Sequence, residues 1–413
     1  VTRRPFLGIL LAIFVCTAAQ PIHAASIAVT TTVDELNADG DCSLREAVRA
    51  ANTNAAVDAC PAGQNDQTDT ITVPAGTYTL TLAGSDNDAA VGDLDLRDNA
   101  AVDDLVITGA GAATTIIQAC AVEQLLEDCP AGQGVVDRVL HLLDAHVAIS
   151  GVTIRHGRAP DQSGTRTGSG IWMQRANTPA ALTLTDVVIT KNGAATGRVE
   201  GGGIANSYGV LTLTRAIISD NQGSWGGGIH NVFSPATLVM TDSTVSGNAA
   251  GSGGGIVNEA AAVATLTNST ISDNHADTGG GGGVLRGGGG ILNYSNAVAD
   301  FTGTVVTLTN STLSGNSADD GAGGGFSNER ATATLTNCTV SGNQAATFAG
   351  GIYNSLGTVT VQSSTVTANR MLGLTRGAGG IYASNPIVLR NTIVAGNFHD
   401  ATDPALHSPD CTG

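Results

Sequence analysis

Residues 253–274 read GGGIVNEAAAVATLTNSTISDN. Three glycines lead into an apolar residue and an asparagine. A short alternating run, VATLT, follows, and then a β-branched phrase, STIS, that closes on Asp273-Asn274. Val, Ile and Thr in runs of three to five residues argue strands, and the Gly, Asn, Ser and Asp between them argue turns.

The same phrases return on both sides of this stretch. The glycine phrase recurs as GGGIAN (Gly201 to Asn206), GGGIHN (Gly226 to Asn231), GGGIVN (Gly253 to Asn258), GGGILN (Gly288 to Asn293), GGGFSN (Gly323 to Asn328) and GGIYN (Gly350 to Asn354). The β-branched phrase closes on Asn192, Asn221, Asn248, Asn274, Asn316, Asn343, Asn369 and Asn397, at successive gaps of 29, 27, 26, 42, 27, 26 and 28 residues. A period near 27 with no sustained helical spacing excludes the helical solenoids and leaves a β-solenoid. The expected fold is all-β, a right-handed parallel β-helix. About ten coils at a strand spacing of ~4.8 Å would make a rod about 48 Å long. Leu266, Ile271, Ile256 and their counterparts should fill the bore, and stacked asparagines should form amide ladders. The Asn274–Asn316 interval is the longest. Its surplus falls at Gly279 to Gly290 and at Val298 to Val306, which read as protruding loops.

An open β-helix end needs a cap. Asp41 to Asn52 (DCSLREAVRAAN) suits that task. Ser43 and Glu46 have capping-box spacing, and Leu44, Ala47, Val48 and Ala51 share one helical face. Asp104 to Ile117 and Val147 to Gly157 read as early, less regular coils.

Cys42 to Ala47 spells CSLREA, and with GDLDL (Gly92 to Leu96) and LVITGAGAATTII this resembles the CSLREA-domain proteins, secreted bacterial β-helix proteins. The glycine and S-x-N phrases are similar to the repeats of chlamydial polymorphic outer-membrane proteins. The resemblance implies export, a right-handed β-helix and a surface or adhesive role, and it brings no catalytic residues with it. Those outer-membrane proteins end in a membrane barrel, whereas no alternating barrel strands follow the last coil here. The closing Asp410-Cys411 resembles a phrase that leads into further sequence in such proteins, so a truncated C-terminus with Cys411 lacking its partner is the expectation.

Arg3 and Arg4, the apolar run Phe6 to Ala19 and Ile22-His23-Ala24 read as a secretory signal too short to span a membrane. The expected organisation is a signal peptide over 1–24, cap region and first strands over 25–103, β-helix over 104–400 and a tail over 401–413. The mature chain is expected outside the cell or on its surface and not spanning a membrane. Export permits disulfides, and Cys42 with Cys60 and Cys120 with Cys129 are near enough in sequence to be local staples.

A net charge of −17 argues against nucleic acid and anionic membranes as partners. Aromatic residues at 3% of the chain argue against broad stacking platforms. The adhesive reading points to an extracellular polysaccharide or a cell surface. Its weak contact candidates are Trp225, Arg286, Asp319, Asp320 and Phe348, with loops at Arg158 to Gly170 and Arg370 to Arg376. Trp225 either meets a sugar or packs over the neighbouring coil. Asn206, Asn231, Asn258, Asn293, Asn328 and Asn354 are structural candidates.

The competing reading, a polysaccharide lyase or glycoside hydrolase, needs carboxylates at equivalent places in adjacent coils. None is evident. Glu259 and Glu329 match in position but not in adjacent coils, Asp220 and Asp273 look like turn residues, and Lys191 has no matched partner. Asp86, Asp88, Asp93, Asp95 and Asp98 suggest calcium or, more simply, a solvated acidic loop. His141, His146, His156, His230 and His275 lack metal-ligand spacing. No catalytic residue, cofactor or metal is assigned from the sequence.

Overall fold

One regular coil shows how the repeat becomes structure. Thr237–Thr241, Thr244–Ser246, Ala249–Ser252 and Ile256–Glu259 are four strands separated by two or three residues. Each pairs in parallel with its equivalents in the coils before and after. In the computed structural model this generates four all-parallel sheets: sheet I of 12 strands, sheet II of 11, sheet III of nine and sheet IV of 11. The result is a right-handed parallel β-helix. The structure describes residues 25–65, 67–97, 104–123, 129–160, 165–175, 177–194, 197–277, 287–296, 303–373, 377–400 and 409–412. The proposed signal segment 1–24, Asp98 and Arg286 lie outside them.

Alternation divides each strand between bore and surface. Leu238, Met240, Val245, Ile256, Leu266 and Ile271 are at most 1% exposed and belong to one continuous core. Parallel strands stacked this way bury each coil only against its neighbours.

The corners are held by polar ladders inside the wall. Asn248 donates its backbone N–H and its Nδ2 to Oδ1 of Asn274 in the next coil, at 3.0 and 2.9 Å. Asn274 does the same to Asn316 across the longest interval, at 3.1 and 3.0 Å. A second ladder runs Asn206, Asn231, Asn258, Asn293, Asn328, Asn354 at 2.7 to 2.9 Å. Left-handed backbone falls on the residue before each first-ladder asparagine, such as Asp220 (φ 54) and Asp273 (φ 55), and not on the asparagine itself. Asp220 and Asp273 are thus turn residues. Ser243, Ser269 and Ser311 form a third ladder at the corner between sheets I and II, where buried Cys338 takes the serine's place.

The glycine run is demanded by close approach. Gly253 is left-handed at φ +59, and a Cβ on Gly254 or Gly255 would sit 2.4 Å from the His275 carbonyl or 2.6 Å from that of Gly290. Gly288 to Gly290 make the same corner one coil on, and Val305 and Val306 open a sheet I strand. These two ends of the expected protruding loops therefore belong to the rod, while 278–286 and 297–302 lie outside the described residues.

The surface of sheet I is repetitive too. Its outward pairs run Thr183-x-Thr185, Thr212-x-Thr214, Val239-x-Thr241, Thr265-x-Thr267, Thr307-x-Thr309, Thr334-x-Thr336 and Thr360-x-Gln362.

Helix α1, Leu44–Thr53, closes the N-terminal end. Glu46 N–H donates to Ser43 Oγ at 3.1 Å and Ser43 N–H to Glu46 Oε2 at 2.9 Å, completing the capping box. Leu44, Ala47 and Val48 are buried, and Ala51 is half-buried. Arg45 is fully buried. It grips Asp34 through Nε and Nη2, at 2.6 and 3.1 Å, and donates to the carbonyls of Ala89, Gly92 and Asp93. Disulfides join Cys42 to Cys60 beside this helix and Cys120 to Cys129 in the following coil, while Cys338 and Cys411 are free. No helix among the described residues is long and apolar enough to cross a membrane.

Candidate functional site on the outer face of sheet IV

The outward positions of sheets I and II repeat Thr and Ser from coil to coil. Sheet IV differs. Its Ile-x-Asn strands point the middle residue away from the bore, and register aligns these residues in one column: Asp95, His141, Trp172, Ala205, His230, Val257, Leu292, Ser327, Tyr353 and Tyr382. Trp172, Tyr353 and Tyr382 are half-buried, and the other seven are buried under neighbouring side chains and corners. Chemistry that a structural ladder has no use for is gathered on one side of the rod.

Nearest the cap lies an acid–histidine cluster. His141 Nδ1 meets Asp95 Oδ1 at 3.0 Å, and its Nε2 meets Gln174 Oε1 at 2.9 Å. The second Asp95 oxygen accepts the Ala89 N–H. Arg138 Nη1 donates to Asp93 Oδ2 at 3.0 Å, and Asp137 accepts the backbone N–H groups of Arg138 and Asp93. Trp172 stacks on His141 with centroids 4.6 Å apart, and the Arg138 guanidinium lies 4.8 Å from its ring. Asp95 is fully buried and His141 only 2% exposed. Burial raises Asp93 well above the ordinary carboxylate range, with the Asp137 charge adding to it and Arg138 opposing. Burial lifts Asp137 to about 6 despite Arg138.

This corrects one expectation. Asp93 and Asp95 are not part of a solvated acidic loop, because both are buried. Acidic and histidine side chains also do meet in adjacent coils. Asp86 is the turn residue of that segment: partial burial works against its charge, but N–H groups of Asp88, Val91 and Ala90 outweigh it and lower its pKa. Donor atoms of Asp93, Asp95 and His141 lie within 4.8 Å of one another, close enough to surround a cation. Each of those carboxylates already has a partner, and the Arg138 charge stands where an ion would need none. The carboxylates and His141 are hydrogen-bonded within the cluster, while Arg138 Nε and Trp172 Nε1 are buried without a hydrogen-bond partner.

At the far end the column turns aromatic. Tyr353 and Tyr382 stack in adjacent coils at 6.0 Å, and Phe348, left-handed at φ 59, leans on both at 5.3 and 5.1 Å. All three are half-buried. A second pair, Tyr208 and Phe233, stacks at 4.9 Å on the next corner, with Arg175 5.1 Å from the Tyr208 ring centroid. Both are left-handed, at φ 69 and 68, and Phe233 is 41% exposed. Bulky residues rarely adopt that backbone. Of the 14 aromatic residues of the chain, Phe6, Phe14 and Phe301 lie outside the described ones. Eight of the remaining 11 (Trp172, Tyr208, Trp225, Phe233, Tyr294, Phe348, Tyr353 and Tyr382) sit on this face or its flanking corners. Aromatic residues are scarce, as composition says, but they are concentrated in a strip.

The contact candidates from sequence are scattered along the rod. Phe348 is in the aromatic trio. Trp225 is half-buried and packs against Val257, Leu292 and Tyr294, so it covers the neighbouring coils. Asp319 and Asp320 are exposed on sheet III, where Asp319 lies 3.5 Å from His275 Nε2. Glu259 is 3.1 Å from His230, and Tyr294 separates it from Glu329. Lys191 is a corner residue 3.6 Å from Glu123. In the expected loops, Arg158 is buried and Arg370 pairs with Asp400 at 2.9 Å. Residues 161–164 and 374–376 lie outside the described ones. Trp172, Tyr353 and Tyr382, which sequence reading missed, and His141, which it set aside, share one signal: each takes the variable outward place of the repeated strand.

No family model matches this sequence, and no curated protein matches it. Among solved structures it is similar to the A-module of the mannuronan C-5 epimerase AlgE4 of Azotobacter vinelandii, at 16% identity and a TM-score of 0.45. The match covers 92% of this chain and 96% of that one. That likeness says nothing of this chain's chemistry.

Proposed function

We propose that the protein is exported and acts as a glycan-binding rod, holding a polysaccharide at the half-buried aromatic trio of Phe348, Tyr353 and Tyr382 at the far end of sheet IV. The observation that carries this reading is that trio, within a gathering of eight of 11 described aromatic residues on sheet IV or its flanking corners. Aromatic faces pack against the apolar faces of sugar rings. A net charge of −17 repels polyuronates and other polyanions, which leaves neutral or basic glycans as the ligand class. The CSLREA-like cap and the outer-membrane-like repeats fit the same extracellular setting.

Affinity electrophoresis of the full chain against neutral, basic and acidic polysaccharides tests this. Retardation by a neutral or basic glycan, lost on Tyr353→Ala with Tyr382→Ala, is the expected result. A folded protein that no glycan retards would end the reading.

The enzyme reading keeps one observation in its favour, the Asp93, Asp95, Asp137 and His141 cluster with its raised carboxyl pKa values. Burial and mutual pairing of these groups speak against turnover. Release of reducing ends or unsaturated products from any glycan, abolished by His141→Ala in a folded protein, would reverse the order of the two readings.

A further inference from the structure

Sheet I carries a second surface of a different kind. Seven consecutive strands, from Ala181–Thr185 to Thr358–Gln362, pair in parallel without a register shift. Their outward side chains form two columns of threonine broken only by Val239 and Gln362. A third column alongside holds only Ala, Val and Thr. None of these outward positions is charged, in a chain with 35 acidic and 18 basic residues.

Threonine by itself has an ordinary explanation, since β-branched residues favour strands and stack well across them. Sheet II is uncharged as well in these coils, but its second outward column is mostly serine, so sheet I alone pairs two threonine columns. A solvated strand face normally carries Lys, Arg, Asp or Glu, and so does any surface kept from association. Here a plate of methyl and hydroxyl groups is laid out on a fixed grid. Its spacing is about 4.7 to 4.9 Å along the rod and about 6.6 to 6.8 Å across it. Each node offers one hydroxyl, which donates and accepts, and one methyl that water must enclose. Water held by such a grid takes the grid's own period. The two repeats lie close to the principal oxygen repeats on a prism face of hexagonal ice.

We propose that the outer face of sheet I binds ice. The ligand is an ordered, uncharged water lattice, recognised by period and not by charge. It is independent of the glycan reading, because sheets I and IV lie on different sides of the coil. Adsorption there pins a growing crystal front and holds it back.

The test uses the full chain. Purified protein is frozen slowly into a growing ice hemisphere, and the fraction retained is measured together with crystal shape and growth arrest in supercooled solution. Retention above that of an inert globular protein, with faceted crystals, is expected. Thr265→Tyr with Thr307→Tyr, at the centre of the plate, should lower retention to the inert level. The same change at outward Thr270 and Thr312 of sheet II, and Tyr353→Ala on sheet IV, should leave it unchanged. Strand-rich circular dichroism and an unaltered melting transition establish that each variant is folded. Exclusion of the folded wild type from ice overturns the proposal. So does equal retention of the plate variant, or binding to crystalline cellulose or chitin with no retention in ice.

Discussion

The Asp95 carboxylate and the His141 imidazole face each other across two successive coils at 3.0 Å, and both are closed to water. They are 46 residues apart in sequence. The pair joins the irregular strand Leu94–Arg97 to the first strand of the regular wall, Leu140–Leu143. Replacing His141 by leucine leaves an Asp95 oxygen buried without its donor. A cost of about 1 to 3 kcal/mol is expected, read as a lowered urea midpoint.

The network nearby makes stability depend on pH in an uncommon direction. Asp137 titrates at about 6 in the fold, and unfolded aspartates near 3.9. The folded chain therefore holds this proton more tightly. Its contribution is complete below about pH 4 and is lost as pH rises through about 6. Asp93 acts in the same direction. Thermal melts of wild type and Asp137→Asn between pH 4.5 and 7.5 should show the wild type losing ground to the variant as pH rises. A constant difference across that range would refute this assignment.

Arg45 is the anchor of the cap. Its charge is buried against Asp34, whose own side chain is 5% exposed. Arg45→Met takes away that carboxylate's counter-charge and leaves it only the Thr81 and Leu82 N–H groups, and a loss of about 3 to 5 kcal/mol is expected. Hydrogen exchange should show the loss first in Leu44–Thr53 and the strands beneath it.

The two kinds of asparagine should separate cleanly. Asn274→Ala removes the acceptor used by both Asn248 donors inside the wall, at about 1 to 3 kcal/mol for each buried group left unmade. Asn268 stacks on Asn310 and Asp242 at an exposed corner. Its replacement by alanine should change stability by no more than about 0.5 kcal/mol. Paired denaturation curves decide it.

Cys338 occupies a place that serine fills in neighbouring coils, and its sulfur lies 3.3 Å from the Thr336 carbonyl. Burial raises its thiol pKa. Cys338→Ser should fold with unchanged or slightly higher stability, since the hydroxyl restores the ladder of Ser311 and Ser364. A marked loss would show that the wall is packed for sulfur at this point.

The repeat made the coil legible, because a buried Ile at every Gly-Gly-Gly-Ile and a ladder Asn two places on are fixed by the same alternation. Residues Leu266, Ile271 and Ile256 could be placed in the bore from that pattern alone. The acid–histidine cluster could not. Its members come from Asp93 to Gln174, in coils whose connections are longer than the repeat, so no fixed spacing links Asp95 to His141 or Trp172. Trp225 illustrates a different limit. A glycine run beside it signals a corner, but only the coils ahead, carrying Val257 and Leu292, determine whether a corner residue is covered. The face of sheet IV was present in the sequence as the one place in GGGI-x-N where the repeat does not repeat.

The first asparagine ladder has a consequence for the size of the molecule. Every rung gives hydrogens toward the next coil and takes them from the previous one, so its two sides are complementary to any other rung. Asn397 gives in the same way to the Asp410 carboxylate, at 3.1 and 3.0 Å. A coil can therefore be gained or lost between two rungs without leaving a mismatched bond. Length in this architecture is a quantity adjustable in whole steps of one coil.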